Sequence, residues 1–288
     1  MITSAEIVKL RSSTGAGMMD CKNALDEAGG DQDKAADLLR KKGILKTAKR
    51  ADKVAADGKV VVVVHSDQKS GAIAEVNSET DFVAKSDDFI KFSKDVVDAI
   101  LTSNPADLKA LEKVKLSSGK TVSETVSELT MKIGEKIGVR RFARFSTDGL
   151  VAMYLHGAKI GVLVEVDGKD HGLALEVAMH IAATNPRCLS RDQVDQAEVV
   201  KEKAIYAEQL KGKPANIMEN ILKGKLEKFY GEICLLEQPF IKDEDTTVGK
   251  LAEKAGCKIK RFVRYELGEG IEKVTKDFAA EVAEQLER

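Results

Sequence analysis

Gly71-Ala72-Ile73-Ala74-Glu75-Val76-Asn77 returns later in the chain as Gly161-Val162-Leu163-Val164-Glu165-Val166-Asp167, and this echo decides the fold. Each copy follows an apolar run of its own, Val60–His65 in the first case and Val151–His156 in the second. Two such runs joined by a short turn make an antiparallel strand pair. Downstream of each pair a helical stretch closes on an Asn-Pro: Ser103-Asn104-Pro105 and Thr184-Asn185-Pro186. A further helical stretch then leads to a last strand, Val122–Leu129 to Val139–Phe145 and Val248–Leu251 to Lys258–Leu267. Each half therefore reads β-β-α…α-β. The prediction is an α+β protein whose core is a duplicated layer with antiparallel sheets.

The two halves differ in two places. From the shared Glu to the shared Pro the first half takes 30 residues and the second 21, and the surplus falls where Ser78–Ser86 sits. Inside it, Thr80-Asp81-Phe82-Val83 sets a carboxylate beside a bulky aromatic at the mouth of a helix. One reading is a helix start at Asp81 with Phe82 as its packing contact. The other is a projecting wedge, which predicts an extension that the sister half folds without. The second difference is a long helical hairpin over about 193–232 with no match in the first half. Val200, Ala204 and Ala207 mark one stripe, Lys211–Pro214 turns the chain, and Met218, Ile221, Leu222, Leu226 and Phe229 mark the other. Such a protruding arm either pads the core or binds another surface.

Residues 1–54 read as a small three-helix module with a basic linker. Thr3 and Glu6 form a capping box ahead of Ile7, Val8 and Leu10; Gly29-Gly30 ends the second helix, Asp31 caps the third, and Gly43 closes it. On the second helix Met18, Cys21, Leu25 and Ala28 share one stripe, while Met19 lies about 160° from its centre and faces solvent. An exposed methionine beside a glycine-rich turn is either chance or a soft anchor for a partner. The core halves are assigned to 55–146 and 147–270. A C-terminal helical module occupies 271–288, with Phe278, Val282 and Leu286 on one face.

Composition narrows the function. With 288 residues, 43% hydrophobic and 32% charged, the chain reads as soluble, partly helical and built of two or three units. Its net charge of −1 gives no global field toward nucleic acid or membrane. No stretch approaches the ~20 apolar residues of a span, and the N-terminus shows no signal peptide, so a cytoplasmic location is expected. Cys21, Cys188, Cys234 and Cys257 have no metal-ligand spacing and read as reduced thiols. The four histidines lack any hydrolase or zinc pattern; His65 and His156 hold equivalent strand ends. Ser118-Gly119-Lys120-Thr121 imitates a phosphate loop, but Val114 stands where the first glycine belongs, and Thr121 with Glu124 fits a capping box better. Arg140–Phe145 and Lys260–Tyr265 interleave basic and aromatic residues, which suits either an RNA-stacking strand or a half-buried one with aromatics inward and arginines outward. No enzyme signature and no cofactor site emerge.

Taken in order, Thr14-Gly15-Ala16-Gly17-Met18-Met19-Asp20-Cys21-Lys22, Thr80–Val83, His156-Gly157 with Gly161–Val164, and Gly268–Lys273 closely resemble the bacterial elongation factor Ts family. The likeness covers essentially the whole chain, arm and tail included. It implies a guanine nucleotide exchange factor, without enzymatic chemistry or cofactor, acting on the GTPase elongation factor Tu. By that resemblance the N-terminal module docks on the GTPase domain through the region of Met18 and Met19. Thr80, Asp81, Phe82 and Val83 form the segment implicated in dislodging Mg²⁺, and the second core half meets another domain of the partner, with His156 and Gly157 as candidates. The tail helix returns to the GTPase domain. An RNA-binding translation protein is the alternative expectation; no membrane and no direct nucleic-acid contact are expected of the exchange factor.

Overall fold

Two three-stranded antiparallel sheets form the centre of the molecule, and the computed structural model describes residues 2–210 and 215–272 around them. The chain opens with α1 (Ser4–Thr14), α2 (Met18–Glu27) and α3 (Gln32–Lys49). The first half comprises β1 (Asp57–Val64), β2 (Ser70–Ser78), α4 (Asp81–Ala84), α5 (Asp87–Ser103), α6 (Leu108–Leu111), α7 (Val122–Ile133) and β3 (Gly138–Ser146). The second comprises β4 (Leu150–His156), β5 (Ile160–Asp167), α8 (His171–Thr184), the arm helices α9 (Gln196–Gln209) and α10 (Ala215–Ile233), a small hairpin of β6 (Pro239–Phe240) and β7 (Asp243–Thr247), α11 (Val248–Lys254) and β8 (Lys258–Glu266). Strand orders are β1-β2-β3 and β4-β5-β8, so the repeated Gly-x-x-x-Glu-Val strand is central in both. The predicted α+β class and the doubled β-β-α…α-β order are what the chain adopts. The expected tail helix and the Lys211–Pro214 turn lie outside the described residues.

Both faces of each sheet are covered. The first packs one face on α5 and α7 through Val76, Phe89, Phe92, Val96, Ile100 and Leu129; the second packs on α8 and α11 through Val164, Val177, Ile181, Val248 and Ile259. Their other faces meet, burying Val60, Ile73, Phe145, Val151 and Leu163 between them. The repeated glycines sit at this meeting. A Cβ on Gly71 would fall 2.9 Å from Val151 Cγ1, and one on Gly161 would fall 2.5 Å from Val60 Cγ1. Only a residue without a side chain lets the sheets approach this closely.

A bulge of the same kind interrupts each sheet. Glu75 pairs with Arg141 but Val76 pairs with Val139, which leaves Arg140 as the extra residue; Glu165 pairs with Arg261 and Val166 with Ile259, which leaves Lys260. The extra residue turns two successive cations toward the acidic strand. Arg140 and Arg141 thus both reach the fully buried Glu75 carboxylate, at 3.0 and 2.6 Å. Asn77 Nδ2 and the Gly268 backbone N–H add hydrogen bonds of 3.2 and 2.9 Å. Burial raises the Glu75 pKa, but the donors from Gly268, Arg141, Asn77 and Arg140 outweigh it and hold the group below its ordinary value. In the sister half Glu165 binds Arg261 at 2.6 Å and Lys260 turns to Asp167 at 3.2 Å.

Several local expectations need correction. Gly43 does not close α3, which continues to Lys49. A Cβ there would lie 3.3 Å from Ser127 O, so this glycine marks a close crossing with α7. The arm stripe on α9 is displaced: Val199 is buried with Val194, Phe229 and Cys234, whereas Val200 and Ala204 face outward. Small residues give that helix too little contrast to fix its phase from sequence. Phe142 and Phe145 point to opposite faces of their sheet, one toward the helices and one toward the other sheet. With both faces covered, an inward-outward alternation has no meaning there.

Candidate partner-binding surface

Two features of the first half converge on the C-terminal end of α7. Met131 is buried in the core formed by α1, α2 and α3. Its neighbour Lys132 passes beneath the Gly15 turn, where an added Cβ would come within 3.3 Å of its Cδ, and pairs with Asp88 at the start of α5 at 2.7 Å. Glu135, two residues past the helix, accepts from Thr80 N–H at 3.0 Å and from Thr80 Oγ1 at 2.8 Å. One helix end therefore positions both the Thr14–Gly17 turn and the α4 elbow.

The elbow is held from inside and open outside. Thr80, not Asp81, is the N-cap: its hydroxyl accepts from Val83 N–H at 3.4 Å. Ser78 Oγ donates to Thr80 O at 2.9 Å, and Arg50 Nη1 donates to Glu79 at 2.6 Å. Val83 is 8% exposed and belongs to the helix-side core, as does Ala84. Phe82 is 81% exposed, so it is not the packing contact of a helix start. Asp81 bonds Lys85 at 2.6 Å, and this hydrogen bond keeps its carboxyl below the ordinary range. Lys85 Nζ lies 6.0 Å from the Phe82 ring centroid. An aromatic ring flanked by an ion pair thus stands on a single helical turn whose base is fixed by hydrogen bonds of Ser78, Glu79 and Thr80, Glu79 also accepting from Lys136 N–H.

The extension is also divided differently than the residue count alone suggests. Asp87 opens α5 twelve residues after Glu75, while His171 opens α8 six residues after Glu165; the helices have 17 and 14 residues. Six of the nine surplus residues form the elbow, and three lengthen the helix.

On the N-terminal module Met19 is 65% exposed, as its helical position requires. Met18, placed on the buried stripe by sequence, is 40% exposed. It is the first residue of α2, and the core closes instead on Ala16, Cys21, Ala24 and Leu25. Both methionines are therefore accessible near the Gly15 turn, at successive positions of α2. Burial raises the Cys21 thiol pKa and keeps that side chain a packing group.

His156 and Gly157 stand on a different support, the β4–β5 hairpin. Gly157 and Ala158 take φ of +57° and +58°, a tight turn. Ala158 O accepts from Val60 N–H at 2.9 Å, which ties this hairpin to the first sheet. His156 Nδ1 and Tyr154 Oη are 3.2 Å apart, and Met153 and Leu155 are exposed beside them.

The basic–aromatic strands engage each other. The Arg141 guanidinium lies 4.3 Å from the Tyr265 ring centroid and that of Arg261 4.2 Å from Phe145. Arg144 Nε donates to Leu101 O and Arg264 Nε to Ala182 O. These are contacts between layers of the fold, not a free stacking face. Among the described residues no group of three His, Cys, Asp or Glu side chains is placed to hold a metal ion, and no helix is long and apolar enough to cross a membrane.

The family model described as Elongation factor TS matches residues 79–269. The chain belongs to the elongation factor Ts family. Among curated relatives, elongation factor Ts of Alkalilimnicola ehrlichii is 50% identical over 289 residues, covering 99% of each chain. That of Methylococcus capsulatus is 48% identical over 288 residues, covering 99% of this chain and 98% of the relative. That of Halothermothrix orenii is 49% identical over 296 residues, covering 100% and 99%. Family membership places the chain among translation elongation factors, and the matched span runs from the α4 elbow to the Glu269 contact with Arg141.

Proposed function

We propose that this chain is a guanine nucleotide exchange factor for elongation factor Tu and that the α4 elbow is its wedge. The observation that carries the reading is Phe82, four-fifths exposed on an elbow whose own base is fastened. A ring on a loose loop would fold away from a partner. A ring on a fastened turn transmits displacement to what it meets.

The physics needs no covalent step. A GTPase holds GDP through its phosphates and a bridging Mg²⁺, which demands near-ideal octahedral geometry. Pushing aside the elements around that ion weakens its coordination without any contact to the guanine. Phe82 supplies apolar volume to a partner pocket, Asp81 orients the ring through Lys85 and offers a carboxylate to partner donors, and Thr80 and Val83 anchor the turn. Met18 and Met19 dock on the GTPase domain as adaptable apolar contacts. His156 and Gly157 form part of a second contact, from the other half of the core. In this reading 1–54 is the docking module, 55–146 carries the wedge, 147–270 carries the second contact with the arm, and 271–288 is a return contact. Because coupling is reciprocal, a factor that weakens GDP is itself weakened by incoming nucleotide by the same ratio, which releases it.

The test is release of fluorescent GDP from purified elongation factor Tu at substoichiometric factor. Acceleration with turnover supports the reading; a rate equal to spontaneous release rejects it.

A further inference from the structure

We propose that Cys188 and Cys234 form a redox-active dithiol whose oxidation locks the base of the helical arm. Their sulfurs lie 3.5 Å apart although the residues are separated by 46 positions. The chain enters the arm past Cys188 and leaves it at Cys234, and the two passing segments are zipped together. Arg187 N–H and Cys188 N–H both donate to Ile233 O, Leu235 N–H donates to Cys188 O, and Leu236 N–H donates to Leu189 O. This parallel bridge sets Cys188 directly beside Cys234. Bridged neighbours stand about 4.8 Å apart at Cα, inside the window of about 4.4–6.8 Å that a disulfide spans. Closing the sulfurs to bonding distance therefore requires side-chain rotation rather than backbone movement.

The two thiols are not alike. Cys234 is fully buried, whereas Cys188 is partly exposed and lines a cleft of about 480 Å³ with Arg187, Arg261 and Arg264. Burial, together with the adjacent Cys188 thiol, pushes the Cys234 thiol up to about 12. A reagent reaches Cys188 first, because the cleft opens on that sulfur while Cys234 lies behind it. With a hydroperoxide as oxidant, the Cys188 sulfur attacks the outer peroxide oxygen, the O–O bond breaks, and a sulfenic acid and water (or an alcohol) result. The Cys234 sulfur then attacks the Cys188 sulfur; the S–O bond breaks, and the Cys234 proton leaves with that hydroxyl as water. The two sulfurs lose two electrons in all, and the peroxide gains them.

The experiment treats the full chain with hydrogen peroxide, counts thiols after denaturation, and maps non-reduced peptides by mass spectrometry. Two of the four thiols should be lost, the Cys188 and Cys234 peptides should be linked within one chain, and dithiothreitol should restore both. Oxidised protein should show slower amide exchange at Cys188 and Leu235 and a higher melting temperature. Cys234→Ala should leave a dimedone-reactive sulfenic acid on Cys188, and Cys188→Ser should abolish both the link and the melting shift. Linkage between two chains, oxidation of Cys21 or Cys257 ahead of the pair, or survival of all four thiols in peroxide-treated wild type would each overturn the proposal. Circular dichroism of the reduced variants separates misfolding from loss of the pair. If Cys234→Ala fails to fold, the Cys188→Ser comparison decides the matter alone.

Discussion

Replacing Phe82 with alanine removes the exposed ring while sparing the turn beneath it. A phenylalanine offers on the order of 150–250 Å² for burial. With 81% of Phe82 accessible in the free factor, truncation withdraws on the order of 100 Å² of apolar contact from a complex that seats it. At about 25 cal/mol per Å² this is about 2.5 kcal/mol, or about 60-fold in the rate at which the factor drives nucleotide release. Stability should move by less than about 0.5 kcal/mol, because nothing in the folded chain depends on the ring. Val83→Ala is the matched control. Val83 is 8% exposed, and losing two buried methyl groups there should cost about 2 kcal/mol in unfolding free energy while leaving the ring in place. The assay is stopped-flow release of fluorescent GDP from elongation factor Tu, run beside urea denaturation of each variant. If Phe82→Ala exchanges within threefold of wild type, or melts as early as Val83→Ala, the ring is not a wedge and the reasoning fails.

Four further outcomes follow from the same geometry. Glu135→Ala deprives Thr80 of both carboxylate contacts and should cost about 2 kcal/mol in unfolding free energy. It should also slow exchange although Phe82 is intact; unchanged exchange would mean that the elbow needs no fastening. Gly161→Ala places a methyl 2.5 Å from Val60 Cγ1 and 2.8 Å from Val62 Cγ2, so overpacking between the sheets should cost about 1–3 kcal/mol in urea denaturation; a variant as stable as wild type would show that the sheets part easily. Met19→Ala should weaken association with elongation factor Tu by calorimetry while leaving the melting temperature in place, and a large melting shift would refute its solvent-facing role. His180 is buried with Nε2 2.9 Å from Gln238 Oε1 and with Ile241 N–H donating to Nδ1, an arrangement that needs the neutral ring. Burial lowers its pKa against the Gln238 bond. The unfolded chain therefore binds the extra proton first, and stability should fall with pH from about 6.5 down to the lowered folded value. The melting temperature of His180→Gln should be flatter across that window, and an unaltered slope would assign the pH dependence to other groups.

The sheets were legible because their strand runs repeat, and a repeated pattern identifies itself even where a single one is ambiguous. Thr3 with Glu6, Thr121 with Glu124 and Asp31 could be read as caps because capping chemistry is local in sequence. Gly43 could not, since helix-ending glycines and glycines at helix crossings look alike until the second helix, α7, is placed beside them. Phe82 was undecidable locally for a related reason: four helical residues carry no periodicity that tells inside from outside. The duplication gave the one usable signal, an insertion relative to the sister half, though only part of that insertion became the elbow. Glu135 and Lys132 were missed altogether, as was the proximity of Cys188 to Cys234. Each depends on contacts across tens of residues that no spacing rule encodes. Met18 shows the opposite failure, where a correct helical phase meets a helix end that the core does not reach.

The meeting of the two sheets has the form of an isologous interface. Gly71 faces Val151 while Gly161 faces Val60, and each glycine and valine is the other's counterpart in the repeat. Arg141 over Tyr265 and Arg261 over Phe145 exchange roles in the same way. That reciprocity is the signature of a two-fold axis, here relating parts of one chain. The core is in effect a homodimer made covalent, and the link from β3 to β4 is what turns a concentration-dependent pairing into a permanent one. A chain reduced to either half would expose the face that the other now covers and would have to find a second copy to cover it. Within one chain the two copies need not be identical: the first carries the elbow and the second the arm. A frame with two-fold symmetry at its centre thus presents two unlike features, one on each half.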